Sequence, residues 1–326
     1  MNAFTTLLKR EYWENRGNFA IAPAATGAFF IVIFIFALFN TEHFSITHGL
    51  ADGTQTIIDG KFSGMGEISG ISLLSSLTND FVNLPLERRE KLWEIGLLGI
   101  GITFTSIMVL VSFIYVLGSL YDDRKDRSIM FWKSLPVSDL MTVNSKIITL
   151  LFVIPAFFLS ATIVTYLGLM LIISLVAIFT GGEVWEAVWQ PAPFLITPIK
   201  LYFTYLIKTL WAAPFIAWLL LVSSWTKHKP ILLATLPLFA ISFLEFYYNR
   251  TNVFATAVKE RIIGWVVPVD ISSFEHGSNR GLDMDSGVNI FHAQSFLSLS
   301  SFWYGLIVAA LMVAAAVYIR RYRDDS

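Results

Sequence analysis

Residues 147–180 read IITLLFVIPAFFLSATIVTYLGLMLIISLVAIFT, a run with no Lys or Arg anywhere in it. About 20 apolar residues cross a bilayer, and two crossings need about 40 plus a turn. The run is too short for two crossings, so it reads as one long helix, kinked at Pro155, with its extra turns projecting from the membrane. A lone apolar stretch in lipid must satisfy its backbone internally, which makes it a helix.

Working outward, five more stretches meet the same length test: 19–39, 92–120, 198–225, 230–248 and 300–319. Together they predict an all-α polytopic membrane protein with six transmembrane helices in a single domain. The outer loops fall at 40–91, 181–197 and 249–299, the first and third long. Trp185 and Trp189 suit an interfacial belt. The first part of the third loop, 251–269, is apolar enough to lie on the membrane or dip into it.

Composition agrees. Of 326 residues, 55% are apolar and 14% charged, against roughly 25% charged in a soluble domain. Mean hydropathy is +0.64. No soluble fold of this size hides that much apolar surface, and disorder is excluded on the same ground. A net charge of −1 leaves no footprint for nucleic acid. The absence of cysteine removes thiolate metal sites, thiol nucleophiles and disulfides. The first apolar run starts after Glu11 and Glu14 and lacks a small-residue cleavage site, so the N-terminus does not read as a cleavable signal.

Lys and Arg set the orientation. They concentrate before the first span, in the segment between the second and third (Arg124, Lys125, Arg127, Lys133 and Lys146), between the fourth and fifth, and after the sixth. Both termini are therefore expected in the cytosol, and an even number of spans agrees.

Two segments outside the spans carry candidate mechanism. In 4–16, Phe4, Leu7, Leu8 and Tyr12 share one side of a helix, and Lys9, Arg10, Glu11 and Glu14 lie largely on another. Such a helix lies in the membrane interface, in contact with lipid. It is either a plain anchor or an elbow that steers the first span. The loop 121–146 begins with Asp122, Asp123, Arg124, Lys125, Asp126, Arg127 and Ser128. It continues through Ile129, Met130, Phe131 and Trp132 to Leu135, Pro136, Val137 and Ser138. This predicts a short charged helix with an apolar face, stopped before Pro136. Four large apolar residues in a row beside mixed charges describe a docking knob for a protein partner, or else a segment resting in the interface.

The same stretch resembles the connection between the second and third spans of ABC-2 type transporter permeases. The matching positions are Asp123-Arg124, Ser128-Ile129, Leu135-Pro136-Val137-Ser138 and Ser145-Lys146. That family commonly has an acidic-Arg pair, Gly-Thr-Leu, Pro-Val-Ser and Gly-Lys in this order. Arg127-Ser128-Ile129 and Ser145 depart from it, as does the long first outer loop. The resemblance covers most of the chain, since the amphipathic start, six spans and apolar fifth-to-sixth loop also match.

The resemblance implies a function. The chain would be the permease subunit of an exporter in a bacterial inner membrane, with no bond chemistry of its own. The knob would be a coupling helix built from Asp123, Arg124, Arg127, Ile129, Phe131, Trp132, Leu135 and Pro136. It would seat in a cytosolic ATPase subunit that holds the ATP and Mg. A second permease chain, identical or sister, would complete the transporter. No G-x-x-x-x-G-K-[ST] nucleotide loop occurs in this chain, so no cofactor is expected here, and the five scattered histidines form no H-E-x-x-H, so no metal is expected either.

Charges within the spans are scarce. Lys208 lies about 12 Å along a helix from Lys200, at a depth where charge is costly. It either lines a translocation path or meets an anionic headgroup, or it snorkels or pairs with Glu245. Pro155 and Pro214 are candidate kinks. Rival functions are an ion-coupled secondary transporter, an ABC-type permease used for sensing or assembly, and a membrane-embedded enzyme. No catalytic constellation supports the last.

Overall fold

The computed structural model describes residues 3–40, 46–49, 55–58, 81–125, 138–226, 229–266 and 299–322. Helix dominates. The N-terminal helix α1 (Ala3–Glu14) leads through a π-helical turn, Gly17–Ile21, into α2 (Ala22–Asn40). A short antiparallel hairpin follows, β1 (Ile46–Gly49) with β2 (Gln55–Ile58). Next come α3 (Leu86–Lys125), α4 (Asp139–Ile148), a second π-helical turn at Thr149–Val153, and α5 (Ile154–Thr180). The remainder is a third π-helical turn at Trp185–Trp189, then α6 (Ile196–Trp211), α7 (Ala213–Trp225), α8 (Pro230–Asn249), α9 (Val253–Val266) and α10 (Ser300–Tyr322).

Among the described residues, five helices are long and apolar enough to cross a membrane, and a bent pair makes a sixth candidate. The protein is thus a multi-pass, all-α membrane protein apart from the one hairpin. The stretch 147–180 lies within a single helical run, Asp139–Thr180. Pro155 sits just after the Thr149–Val153 turn, where the Ile154 amide bonds to the carbonyl of Thr149 five residues back. Proline has no amide to offer the ladder, and the widened turn falls where the ladder is already interrupted. The run starts at Ser138, whose hydroxyl accepts from the amide of Met141 at 3.2 Å as an N-cap. It ends at Gly181 (φ 78°), with the amide of Gly182 reaching back to the carbonyl of Ala177 at 2.8 Å.

The second span, α3, is central and touches α2, α5, α6 and α7, while α10 lies along α7. Phe104, Met108, Val116 and Leu120 of α3 belong to one buried cluster with Phe158 of α5 and Leu219 of α7. Gly101 lets α6 approach closely: a Cβ there would strike Leu201 and the Tyr166 hydroxyl. The hydroxyls of Ser112 and Tyr205 pair at 2.9 Å inside this core, as buried polar groups must. The first and fifth spans contribute little to the interior. Only 6% of the α8 window is buried, so nearly all of its apolar surface faces outward, as lipid allows and water would not.

Three expectations need correction. The fourth span is not one helix over 198–225. It breaks at Ala212 into α6 and α7, which meet at 67°; Pro214, at the start of α7, cannot donate to the ladder across the junction. The helix that carries the second span begins at Leu86, so residues 86–91, expected in the first long loop, are helical. The charged residues of α1 do not all face away from the protein. Glu11 is fully buried and Arg10 is only 10% exposed. Glu11 lies four residues after Leu7, on the same helix face, and that face packs on α4. Leu7 is buried there, Phe4 and Leu8 are half-buried, and Tyr12 stacks on Phe157 of α5 with centroids 5.1 Å apart.

Candidate functional site

Four helix ends converge on one carboxylate. Asp123, in the last turn of α3, is 4% exposed. Its Oδ1 accepts from Nη2 of Arg10 at 2.8 Å and lies 3.5 Å from Nζ of Lys146. Its Oδ2 accepts from Nη1 of Arg320, near the end of α10, at 3.2 Å. The cluster then extends. Arg320 donates through Nε to Asp139, the first residue of α4, at 3.1 Å. Lys146 pairs with Glu11 Oε1 at 2.7 Å, an ion pair rather than an aligned hydrogen bond. Glu11 Oε2 accepts from the Tyr115 hydroxyl at 2.8 Å. Arg10 closes the rim with Glu14 at 2.6 Å.

Three cations thus sit among four carboxylates, mostly out of water. Such an arrangement is costly to desolvate and is held only by geometry that compensates every charge. Burial alone would lower the pKa of Arg10; the charges of Asp123, Glu14 and Glu11 outweigh it and hold it above its ordinary value. The chemistry on offer is electrostatic tethering. One negative centre holds the N-terminal helix, the third-span extension and the sixth span against the end of the second. Because Arg10 and Arg320 both reach Asp123, the two described ends of the chain meet at the same end of the bundle.

Arg124 faces the other way. Its Nη2 donates to the carbonyls of Ser223 at 2.6 Å and Thr226 at 2.8 Å, capping the end of α7. In return, the Ser223 hydroxyl accepts from the amides of Leu120 at 3.1 Å and Tyr121 at 3.0 Å. The adjacent residues Asp123 and Arg124 therefore join α3 to α1, α4, α7 and α10 together.

The remaining residues expected in the coupling helix, Arg127, Ile129, Phe131, Trp132, Leu135 and Pro136, lie outside the described residues. Their flanks do not: Asp123 stands before that segment, and Asp139 and Lys146 after it. The two ends of the stretch that carries the family resemblance, Asp123 and Lys146, approach within 3.5 Å.

Lys208 and Glu245 are not brought together as partners in a path. Lys208 is 6% exposed, on the buried face of α6 with Thr204, Tyr205 and Trp211, so it does not snorkel to a surface. Glu245 accepts from the Thr251 hydroxyl at 3.0 Å, the Val253 amide at 2.9 Å and the Phe254 amide at 2.9 Å. It is the cap that starts α9. Lys200, two turns earlier on α6, pairs with Glu94 at 3.4 Å.

The residues that sequence reasoning undervalued are Arg10, Glu11, Tyr115, Asp139 and Arg320. The cations among them register in the sequence only as topogenic charge. The available signal was an acid, Asp123, and several cations all falling within a turn or two of span ends on the same predicted side. The fold and this site define a multi-pass membrane protein whose helix ends are bound into one ionic junction. No family model, curated protein or solved structure matches the chain.

Proposed function

We propose that this chain is the permease subunit of an ATP-driven ABC-2 type exporter in a bacterial inner membrane, with both termini cytosolic. A separate ATPase subunit binds and hydrolyses ATP, docks on the 121–138 segment and drives a pair of permease chains between inward- and outward-open states. The observation that carries this reading is the placement of the ionic junction. It brackets the 126–137 segment from both sides, through Asp123 and through Asp139 and Lys146. A force applied to that segment is passed without slack to α1, α3, α4 and α10, because opposite charges at 2.7–3.5 Å already bind them. Apolar residues such as Phe131 and Trp132 supply the surface that an ATPase cleft grips.

The test is co-expression with the products of the neighbouring genes, followed by affinity purification and a search for a bound ATPase. Phe131→Asp with Trp132→Asp is expected to abolish ATPase co-purification while the permease remains monodisperse. Full ATPase recovery with the double variant would overturn the reading.

The broken fourth span favours a second reading, an ion-coupled secondary transporter, because that class builds its sites on interrupted helices. Proteoliposomes separate the two. Solute movement driven by an imposed Na⁺ or H⁺ gradient, with no ATPase present, supports the second reading alone.

A further inference from the structure

We propose that Arg261, on α9, is the positioning residue that sets the angle of the broken fourth span, by competing for one backbone carbonyl. In an unbroken helix the carbonyl of Trp211 accepts from the amide of Phe215. Here helical bonding resumes only with the amide of Ile216, which reaches the carbonyl of Ala212 at 3.0 Å. The Trp211 carbonyl is taken instead by Nη1 of Arg261. The second arm of the guanidinium, Nη2, donates to the carbonyl of Ser301 at 2.6 Å, at the start of α10. The guanidinium also lies over the Trp211 ring, 3.9 Å from its centroid.

The surroundings are shaped for this contact. Gly305 on α10 faces the guanidinium, and a Cβ there would sit 2.8 Å from both terminal nitrogens. Gly264 leaves room for the indole, since a Cβ there would lie 3.0 Å from its ring atoms. Trp265 donates to the Thr209 hydroxyl at 3.2 Å, holding α9 against α6 from the other side. A carbonyl left without a donor inside a membrane is strongly disfavoured. The Trp211 carbonyl therefore has two satisfied states: bent, on Arg261, or straight, on Phe215. Pro214 weakens the straight state, because it removes the donor to Leu210 and its ring crowds that carbonyl, but it leaves the Phe215 amide free to reach Trp211. This inference concerns the internal geometry of the span and does not depend on the ATPase reading.

The difference is large enough to measure. The two halves contain 16 and 13 residues. At 1.5 Å per residue they span about 36 Å end to end across the 67° bend and about 43 Å when straight, a change of about 7 Å. The chain has no cysteine, so spin labels placed by Ile196→Cys and Trp225→Cys report on this distance alone in lipid nanodiscs. Arg261→Met removes the guanidinium. Gly305→Ala displaces it while keeping every polar group, and serves if the first variant does not fold. Both are expected to move the distance distribution outward by about 7 Å. A folded variant of either kind that keeps the wild-type distance would overturn the proposal.

Discussion

Replacing Asp123 by Asn tests the ionic junction most directly. The change keeps the shape of the side chain and removes its charge. Three cations lie 2.8, 3.2 and 3.5 Å from its oxygens. With an effective dielectric of about 20, each such pair is worth roughly 5 kcal/mol of gross attraction. Most of that offsets the desolvation of the ions. The carboxylate is 4% exposed, so water does little to screen the loss. Breaking one partner out of a buried ion cluster destabilises by about 3–5 kcal/mol. The expected result is a drop of about 10 °C in the apparent melting temperature in detergent. A double-mutant cycle with Lys146→Met isolates the electrostatic part, since the second change removes one of the stranded cations. The double variant should recover about 1–2 kcal/mol relative to the sum of the singles. A single-variant shift under 2 °C, or a coupling energy within about 0.3–0.5 kcal/mol of zero, would refute the view that charge compensation holds these four helix ends together.

Two other expectations follow from individual contacts. Ser223→Ala leaves the Leu120 and Tyr121 amides without their side-chain acceptor, which should cost about 1 kcal/mol and show as a small loss of thermal stability. Glu245→Gln removes the charge that caps α9, and faster hydrogen exchange should appear at Val253 and Phe254 while the amides of α10 keep their protection.

Span length and hydropathy were readable because lipid imposes them locally. The stretch 230–248 matches Pro230–Asn249 to within a residue, since proline sets one end and Arg250, in a left-handed conformation, closes the other. The angle at Ala212 was not readable. Pro214 marks a weak point, but the Trp211 carbonyl at the bend is taken by an arginine fifty residues later in the chain. Glu11 was misplaced for a similar reason. A charged residue on an amphipathic helix is assigned to water unless its partner is known, and Lys146 is far away in sequence. The rule that Lys and Arg gather on one side of a membrane did locate the ionic junction, though only as a tally of charge. It gave no hint that Arg10, Lys146 and Arg320 turn inward to share one acid.

The π-helical turn at Thr149–Val153 gives the third span a division of labour. A helix has a phase: insert one residue and everything beyond it rotates by about 100°. A widened turn absorbs such a residue and lets the helix resume in its former phase. Below the turn, Asp139 and Lys146 must point at Arg320, Glu11 and Asp123; above it, Phe158 and Tyr166 must point at the bundle core. The wide turn decouples these two demands. Deleting a residue inside it, such as the half-exposed Phe152, leaves both faces aligned on a regular helix. Deleting one in 139–148 swings the remainder of that arm out of register with its counter-ions. The turn is therefore the place where the third span can change length and keep both faces aligned, and it separates the apolar stretch from the arm that holds the charges.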